Sequence, residues 1–173
     1  MQDRFGFIHE KIDIKILILF ILSRLSEPVT LDTLAGLTLC DDGIGYFDFV
    51  ECVSELADTE HVATDGTFYR ITEKGARNGE ITENFIPYPV RIRAERNAAE
   101  LRMRQSRQAM IKTSRETRRK GGYNVTLTLS DGLEDVITMS LFAASEAQAI
   151  ALENGFHERA EAIYNTIIKT ILD

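Results

Sequence analysis

The chain has 173 residues, 44% hydrophobic and 27% charged, with a formal net charge of −7. That length and balance suit one or two modest cores and exclude a disordered chain. The longest apolar run, Ile16 to Leu22, is far short of the ~20 residues that cross a bilayer, so no membrane partner is expected.

The charge is unevenly spread. Residues 88–120 hold eleven of the twenty Lys and Arg against three acids, Glu95, Glu100 and Glu116, which is +8 by count and leaves −15 for the rest. A basic segment in an acidic protein points to a polyanion partner or an acidic docking surface. Cys40 and Cys52 have no Cys-x-x-Cys spacing and no export signal precedes them, so reduced thiols and a cytoplasmic location are expected. The Asn124-Val125-Thr126 sequon has no meaning there.

In chain order, the first helix is expected from Asp13 to Leu25, apolar almost all round and therefore central. Pro28 breaks the chain, and Thr30 is placed to cap a short second helix with Leu31, Leu34 and Leu37 on one face. Asp41-Asp42-Gly43 supplies a turn. A third helix, Ile44 to Asp58, is expected to bury Phe49, Val50, Val53 and Leu56. Asp65-Gly66 between two short β-prone runs signals a hairpin, and Thr72 can cap a further helix opening Glu73-Lys74-Gly75.

Three helices and a hairpin follow the order of a winged helix-turn-helix. The stretch Tyr69-Arg70-Ile71-Thr72-Glu73-Lys74-Gly75 resembles the end of the wing in PadR- and MarR-type bacterial repressors. Phe5-Gly6-Phe7, the Ile14–Leu25 helix, Thr38-Leu39-Cys40-Asp41-Asp42-Gly43, Tyr46-Phe47-Asp48 and Ile71 to Gly79 resemble an uncharacterised bacterial family, domain of unknown function 4364. That resemblance implies a winged-helix fold and a transcriptional role, and transfers no catalytic or ligand residues.

The third helix departs from ordinary groove reading. Asp48, Glu51, Glu55 and Asp58 line one side at spacings 3, 4 and 3, and the helix holds no Lys or Arg. Such a face repels phosphates and suits a protein contact instead. The nearest cations are Arg70, Lys74 and Arg77, on or just after the wing.

From Val90 to Arg119 there is no Gly or Pro, and strong helix formers fill most positions, so residues 88–120 are expected as one long basic helix ended by Gly121-Gly122. Arg93, Arg96, Arg104, Arg107, Arg115 and Arg118 repeat every eleven residues, which would align them in a stripe roughly 100° wide. Ile92, Ala99, Met103 and Met110 form a thin apolar line beside it, for packing on the protein or on a second copy.

Tyr123 to Ser130 alternates as a strand, Asp131-Gly132 turns, and Ile137, Met139 and Leu141 continue the alternation in a returning strand. The unpaired edges are expected to find a partner in the Arg4–Ile8 segment or another subunit. Ser145 with Gln148 is a capping box, Asn154-Gly155 a helix stop, and a last helix from His157 to Leu172 is expected to bury Ala160, Ile163, Tyr164, Ile167, Ile168 and Ile171.

The expected class is therefore α+β: a winged helix-turn-helix domain over 1–87, a long basic helix over 88–120 and a ββαα module over 121–173. His9, His61 and His157 occur singly, no Cys/His set has metal spacing, and no nucleophile or phosphate-loop motif is present, so neither an enzyme nor a cofactor is expected. The leading expectation is a dimeric transcriptional regulator that meets DNA phosphates through Arg70, Lys74, Arg77, Arg93, Arg96, Arg104 and Arg107. The alternative is a protein-interaction module working through Asp48, Glu51, Glu55 and Asp58. A pocket between the basic helix and the last module would suit a small effector, and no residue identifies one.

Overall fold

The structure is a computed structural model that describes residues 6–172. It is α+β, with six α-helices and two small antiparallel sheets, and divides between Arg102 and Met103 into two compact units.

The first unit is organised around α1 (Lys11–Ser23), whose Ile14 and Ile16 through Leu22 are all buried. A helix apolar on every side must be covered on every side, and each of these side chains contributes about 1.5–3 kcal/mol by leaving water. The cover comes from β1 (Val29–Thr30), α2 (Leu31–Thr38), α3 (Tyr46–Asp58), β2 (Val62–Thr64), β3 (Phe68–Ile71), α4 (Glu73–Thr82) and the start of α5 (Tyr88–Ala109). Local chemistry sets the boundaries. The Thr30 Oγ1 accepts from the Thr33 N–H at 3.3 Å and opens α2. The Thr72 Oγ1 accepts from the Gly75 N–H at 3.1 Å and opens α4. Asp65 closes the hairpin by accepting from the Thr67 and Phe68 amides. With β1 the hairpin makes a three-stranded sheet in the order β1-β3-β2, with Val29 opposite Tyr69 and Val62 opposite Ile71. Arg24 at the end of α1 stacks on Phe20, 3.7 Å from the ring centre, and reaches Glu83 at 2.8 Å.

The long basic helix expected over 88–120 is shorter. It ends at Ala109, and Ile111–Thr117 form β4 instead. The reason is the open edge of the next strand. β4 pairs residue for residue with β5 (Tyr123–Ser130), from Ile111 opposite Leu129 to Thr117 opposite Tyr123. Ile111, Thr113 and Thr117 are β-branched, and a full ladder with a buried Ile111 outweighs the helix propensity of the intervening Lys and Arg. Gly121-Gly122 is therefore a hairpin turn, with both residues at positive φ (88° and 78°). Arg115 lies on β4 and Arg118 at its end, so the six arginines do not share one helical stripe.

The second unit holds the end of α5, a three-stranded sheet β4-β5-β6 and a last, kinked helix, so the expected ββαα module gains a strand, and its two helices meet at the kink. β6 (Asp135–Ala143) returns from a turn in which Asp131 accepts from the Leu133 and Glu134 amides. One edge of β5 is taken by β4; Arg4 and Phe5 of the segment expected there lie outside the described residues. α6 (Glu146–Leu172) starts at the expected capping box, with the Gln148 N–H donating to Ser145 Oγ at 3.2 Å. It does not stop at Asn154-Gly155. Phe156 and Ala160 continue the buried stripe begun by Ala149, and that burial outweighs the ~1 kcal/mol helix cost of a glycine. The helix departs from helical geometry later, at Arg159 (φ −131°, ψ 17°). Its far end is not the buried face expected: Ile168, Ile171 and Leu172 are 39%, 72% and 79% exposed.

Candidate functional site

The cations expected near the hairpin are all at the surface, with different commitments. Arg70 lies on β3 and lines a shallow recess of about 220 Å³ with Pro28, Asp65 and the half-exposed Phe68. The Lys74 Nζ donates to the Thr59 carbonyl at 2.7 Å, closing the end of α3 onto α4. Arg77 sits 3.6 Å from Glu73 one turn back, both side chains largely in water; such a pair is worth a few tenths of a kcal/mol and yields readily to another anion.

The arginines of α5 divide sharply. Arg93 Nη2 is 3.0 Å from Asp41 Oδ1, a carboxylate that is 2% exposed. Arg107 meets Glu161 at 3.2 Å, and Arg115, on β4, meets Glu153 at 3.1 Å and Glu146 at 3.8 Å. Arg118 lies 5.1 Å from the Phe142 ring centre. Among the described residues, Arg96, Arg102 and Arg104 have no ion-pair partner and are exposed. Arg102 falls outside the eleven-residue repeat, which is why spacing alone passes it over.

The acidic side of α3 is less available than its sequence suggests. Lys11 and Lys15 of α1 pair with Glu51 and Glu55. The hydrogen bond from Lys15 holds the Glu55 carboxyl below its ordinary range, and the bond to Glu51 raises the Lys11 ammonium. Asp48 is half-buried and Asp58 exposed. The signal was present in the sequence: lysines four apart on one helix match carboxylates four apart on another, once the two helices pack side by side. The most exposed large apolar side chain of α3 is Phe47, 86% exposed, next to Tyr46 at 46%.

The most constrained cluster in this unit centres on Asp41. Its Oδ2 accepts from the Phe7 N–H at 2.8 Å, the Ile8 N–H at 3.1 Å and the Gly43 N–H at 3.2 Å, while Oδ1 faces Arg93. The backbones at Gly6 and Gly43 approach so closely that a Cβ on Gly6 would fall 2.2 Å from the Gly43 nitrogen, and one on Gly43 would fall 2.1 Å from the Ile8 carbonyl oxygen. Burial raises the neighbouring Cys40 thiol, partly opposed by Arg93. The loop after α2, the segment before α1 and α5 are thus fastened at one carboxylate.

Residues 14–171 match the family described as a Domain of unknown function (DUF4364). The chain belongs to this family. No curated protein and no solved structure matches it. Two of the stretches that resemble the family, Gly6-Phe7 and Asp41-Asp42-Gly43, form the two sides of the Asp41 cluster. Among the described residues no group of three His, Cys, Asp or Glu is placed to hold a metal ion, and no helix is long and apolar enough to cross a membrane. His61 is held between Thr59 and Asn78, and His157 lies 3.4 Å from Thr113 at the surface.

Proposed function

We propose that the first unit is a winged helix and that the protein is a dimeric transcriptional regulator holding duplex DNA mainly by its phosphates. The observation that carries this reading is the element order α1-β1-α2-α3-β2-β3 together with the sheet order β1-β3-β2, the arrangement of a helix-turn-helix followed by a wing. Free guanidinium groups support it. Arg70 at the wing and Arg96, Arg102 and Arg104 on α5 are exposed, and Arg77 is held at the surface by Glu73 alone, through its carboxylate and its backbone carbonyl. Arg93 is assigned a different task, compensating the buried Asp41.

In this reading α3 contributes little base recognition, because its outward side carries Phe47, Glu51 and Asp58 and no cation. Affinity then comes from phosphate neutralisation, so binding falls steeply with salt and varies weakly with sequence. The test is retention of a mixed-sequence duplex by the purified protein, read by anisotropy at about 50 and 200 mM salt. Retention at the lower concentration that collapses at the higher supports the proposal; no retention at either ends it.

A second reading, a winged-helix protein-interaction module that binds no DNA, is favoured by the exposed Tyr46-Phe47 pair at the head of a cation-free α3. Loss of a captured protein partner on Phe47→Ala, with no duplex binding by the parent chain, would select it.

A further inference from the structure

We infer that two copies of this chain join edge to edge through β6, antiparallel about a two-fold axis at Ser140, so that their two three-stranded sheets become one of six strands. This deepens the proposed function by giving the regulator's dimer its contact, and it rests on that reading for the dimer alone.

The first observation is an edge without protection. Among the described residues β6 has β5 on one side and no strand on the other. Alternate residues of such a strand turn both N–H and C=O outward, a template that fits another extended chain. Edges are ordinarily blunted by charge, proline or a bulge. The opposite edge follows that rule, since β4 carries Lys112, Arg115 and Glu116 in seven residues. β6 does not. Its one irregularity lies at its start, where the pairing shifts between Leu129 and Ser130, and residues 137–143 then run regularly with no charge and no proline. Val136, Leu141 and Phe142 stand 40%, 39% and 55% exposed along the strand.

The second observation is an open apolar face beside that edge. Arg115 of β4 reaches Glu146 and Glu153, and His157 lies against Thr113, so α6 before its kink is held toward β4. Cover of the sheet is uneven as a result. On β5, Val125, Leu127 and Leu129 are buried, whereas the residues opposite them on β6, Leu141, Met139 and Ile137, are half-buried or exposed. Between α6 and β6 this leaves an apolar cleft of about 270 Å³, lined by residues that include Leu127, Met139, Leu141, Phe156 and Ile163.

Register chooses the occupant. Directly opposed side chains in an antiparallel pair share a face. A two-fold axis through a residue sets odd numbers against odd, which keeps both apolar faces and both helices on one side. The longest regular ladder, residues 137–143, is centred on Ser140. It opposes Met139 to Leu141 of the second copy, twice by symmetry, and Ile137 to Ala143, so the apolar floor of one cleft runs into the other. On the other face Thr138 meets Phe142 and Ser140 meets its own image, and no charge opposes a like charge. An uncharged ladder that is its own complement is matched by a second β6. The pairing is also closed, because both β6 edges are consumed and the remaining β4 edges are charged.

The experiment is sedimentation velocity of the full chain without DNA, over a concentration series. A dimer is expected. Ser140→Glu and Ser140→Lys each set like charges face to face at the axis and should weaken it by about tenfold or more. An equimolar mixture of the two variants should restore it, which separates an interface from a folding defect. Ser140→Cys should cross-link two copies under mild oxidation, with the bond located at position 140 by peptide mass. Opposed Cα atoms in an antiparallel pair lie about 4.5–5.5 Å apart, within disulfide reach. A parent chain monomeric throughout the series overturns the inference. So does a dimer indifferent to Ser140→Glu, or a mixture that stays dissociated. A dimer lost instead on Phe85→Glu with Tyr88→Glu overturns it too, placing the contact where Phe85 and Tyr88 are 70% and 67% exposed. No duplex enters this assay, so failure of DNA binding and failure of the interface are read separately.

Discussion

Arg93 and Asp41 stand 52 residues apart in the chain and 3.0 Å apart in space. The carboxylate is 2% exposed and the guanidinium side chain 40% exposed, so the pair places one desolvated charge against one that still touches water. Removing the partner of a buried charge costs far more than removing a surface arginine. Arg93→Ala is expected to lower unfolding free energy by on the order of 2 kcal/mol, less than a fully buried pair because three amides still hold the carboxylate. Arg104→Ala should change it by no more than about 0.5 kcal/mol. Urea denaturation of the two variants checks this, and equal stability would remove Arg93 from its assigned role.

The Lys15–Glu55 pair makes a pH prediction. The Glu55 carboxyl is lowered from 4.5 by its hydrogen bond with Lys15. A carboxyl depressed by folding stabilises the native state above its unfolded pKa, and the contribution disappears as pH falls through the folded value. Stability measured from about pH 5 downward should therefore fall less steeply in Glu55→Gln than in the parent chain. Parallel curves would show that the pair is too well screened to matter.

The thiols should be quiet. Burial pushes Cys52 up to about 11, and its Sγ lies 3.5 Å from the Lys11 carbonyl oxygen. Since the thiolate is the reactive form, alkylation of the native protein at neutral pH is expected to spare Cys52 and to proceed slowly at the partly exposed Cys40. Both should react at the rate of a free thiol in denaturant. Fast native labelling of Cys52, followed by peptide mass, would contradict the packing around α1.

For the proposed DNA binding, Arg96→Glu with Arg104→Glu should weaken duplex affinity and reduce the logarithmic salt slope by about 1 for each phosphate no longer neutralised. Folding should be unaffected, as neither side chain has an ion-pair partner among the described residues. Anisotropy titrations across a salt series supply both numbers, and an unchanged slope would clear α5 of any role at the phosphates.

Much of the first unit was readable from residues alone because local chemistry decides it. Thr30 and Thr72 cap the helices their positions announce, Asp65-Gly66 turns the hairpin, and the all-round apolar run of α1 is central. β4 was not readable in that way. Arg, Met and Gln continue a helix pattern through residue 110, and only the vacant edge of β5, whose partners lie 6 to 18 residues on, makes Ile111–Thr117 extended. The eleven-residue arginine period across that boundary is thus a numerical coincidence rather than a face. The candidate site was half legible. Cation positions follow from sequence, but whether each is free depends on partners such as Asp41, Glu153 and Glu161 that only tertiary packing brings near.

The Asp41 cluster bears on where this protein can be cut. The matched family range opens at residue 14, whereas two of the amides that solvate the buried carboxylate belong to Phe7 and Ile8, and the Ile8 side chain is wholly enclosed. A recombinant fragment trimmed to that range would leave an ionised oxygen facing a hole where its latch had been. Poor solubility in such a fragment would report the missing latch, not a weakness of the intact chain.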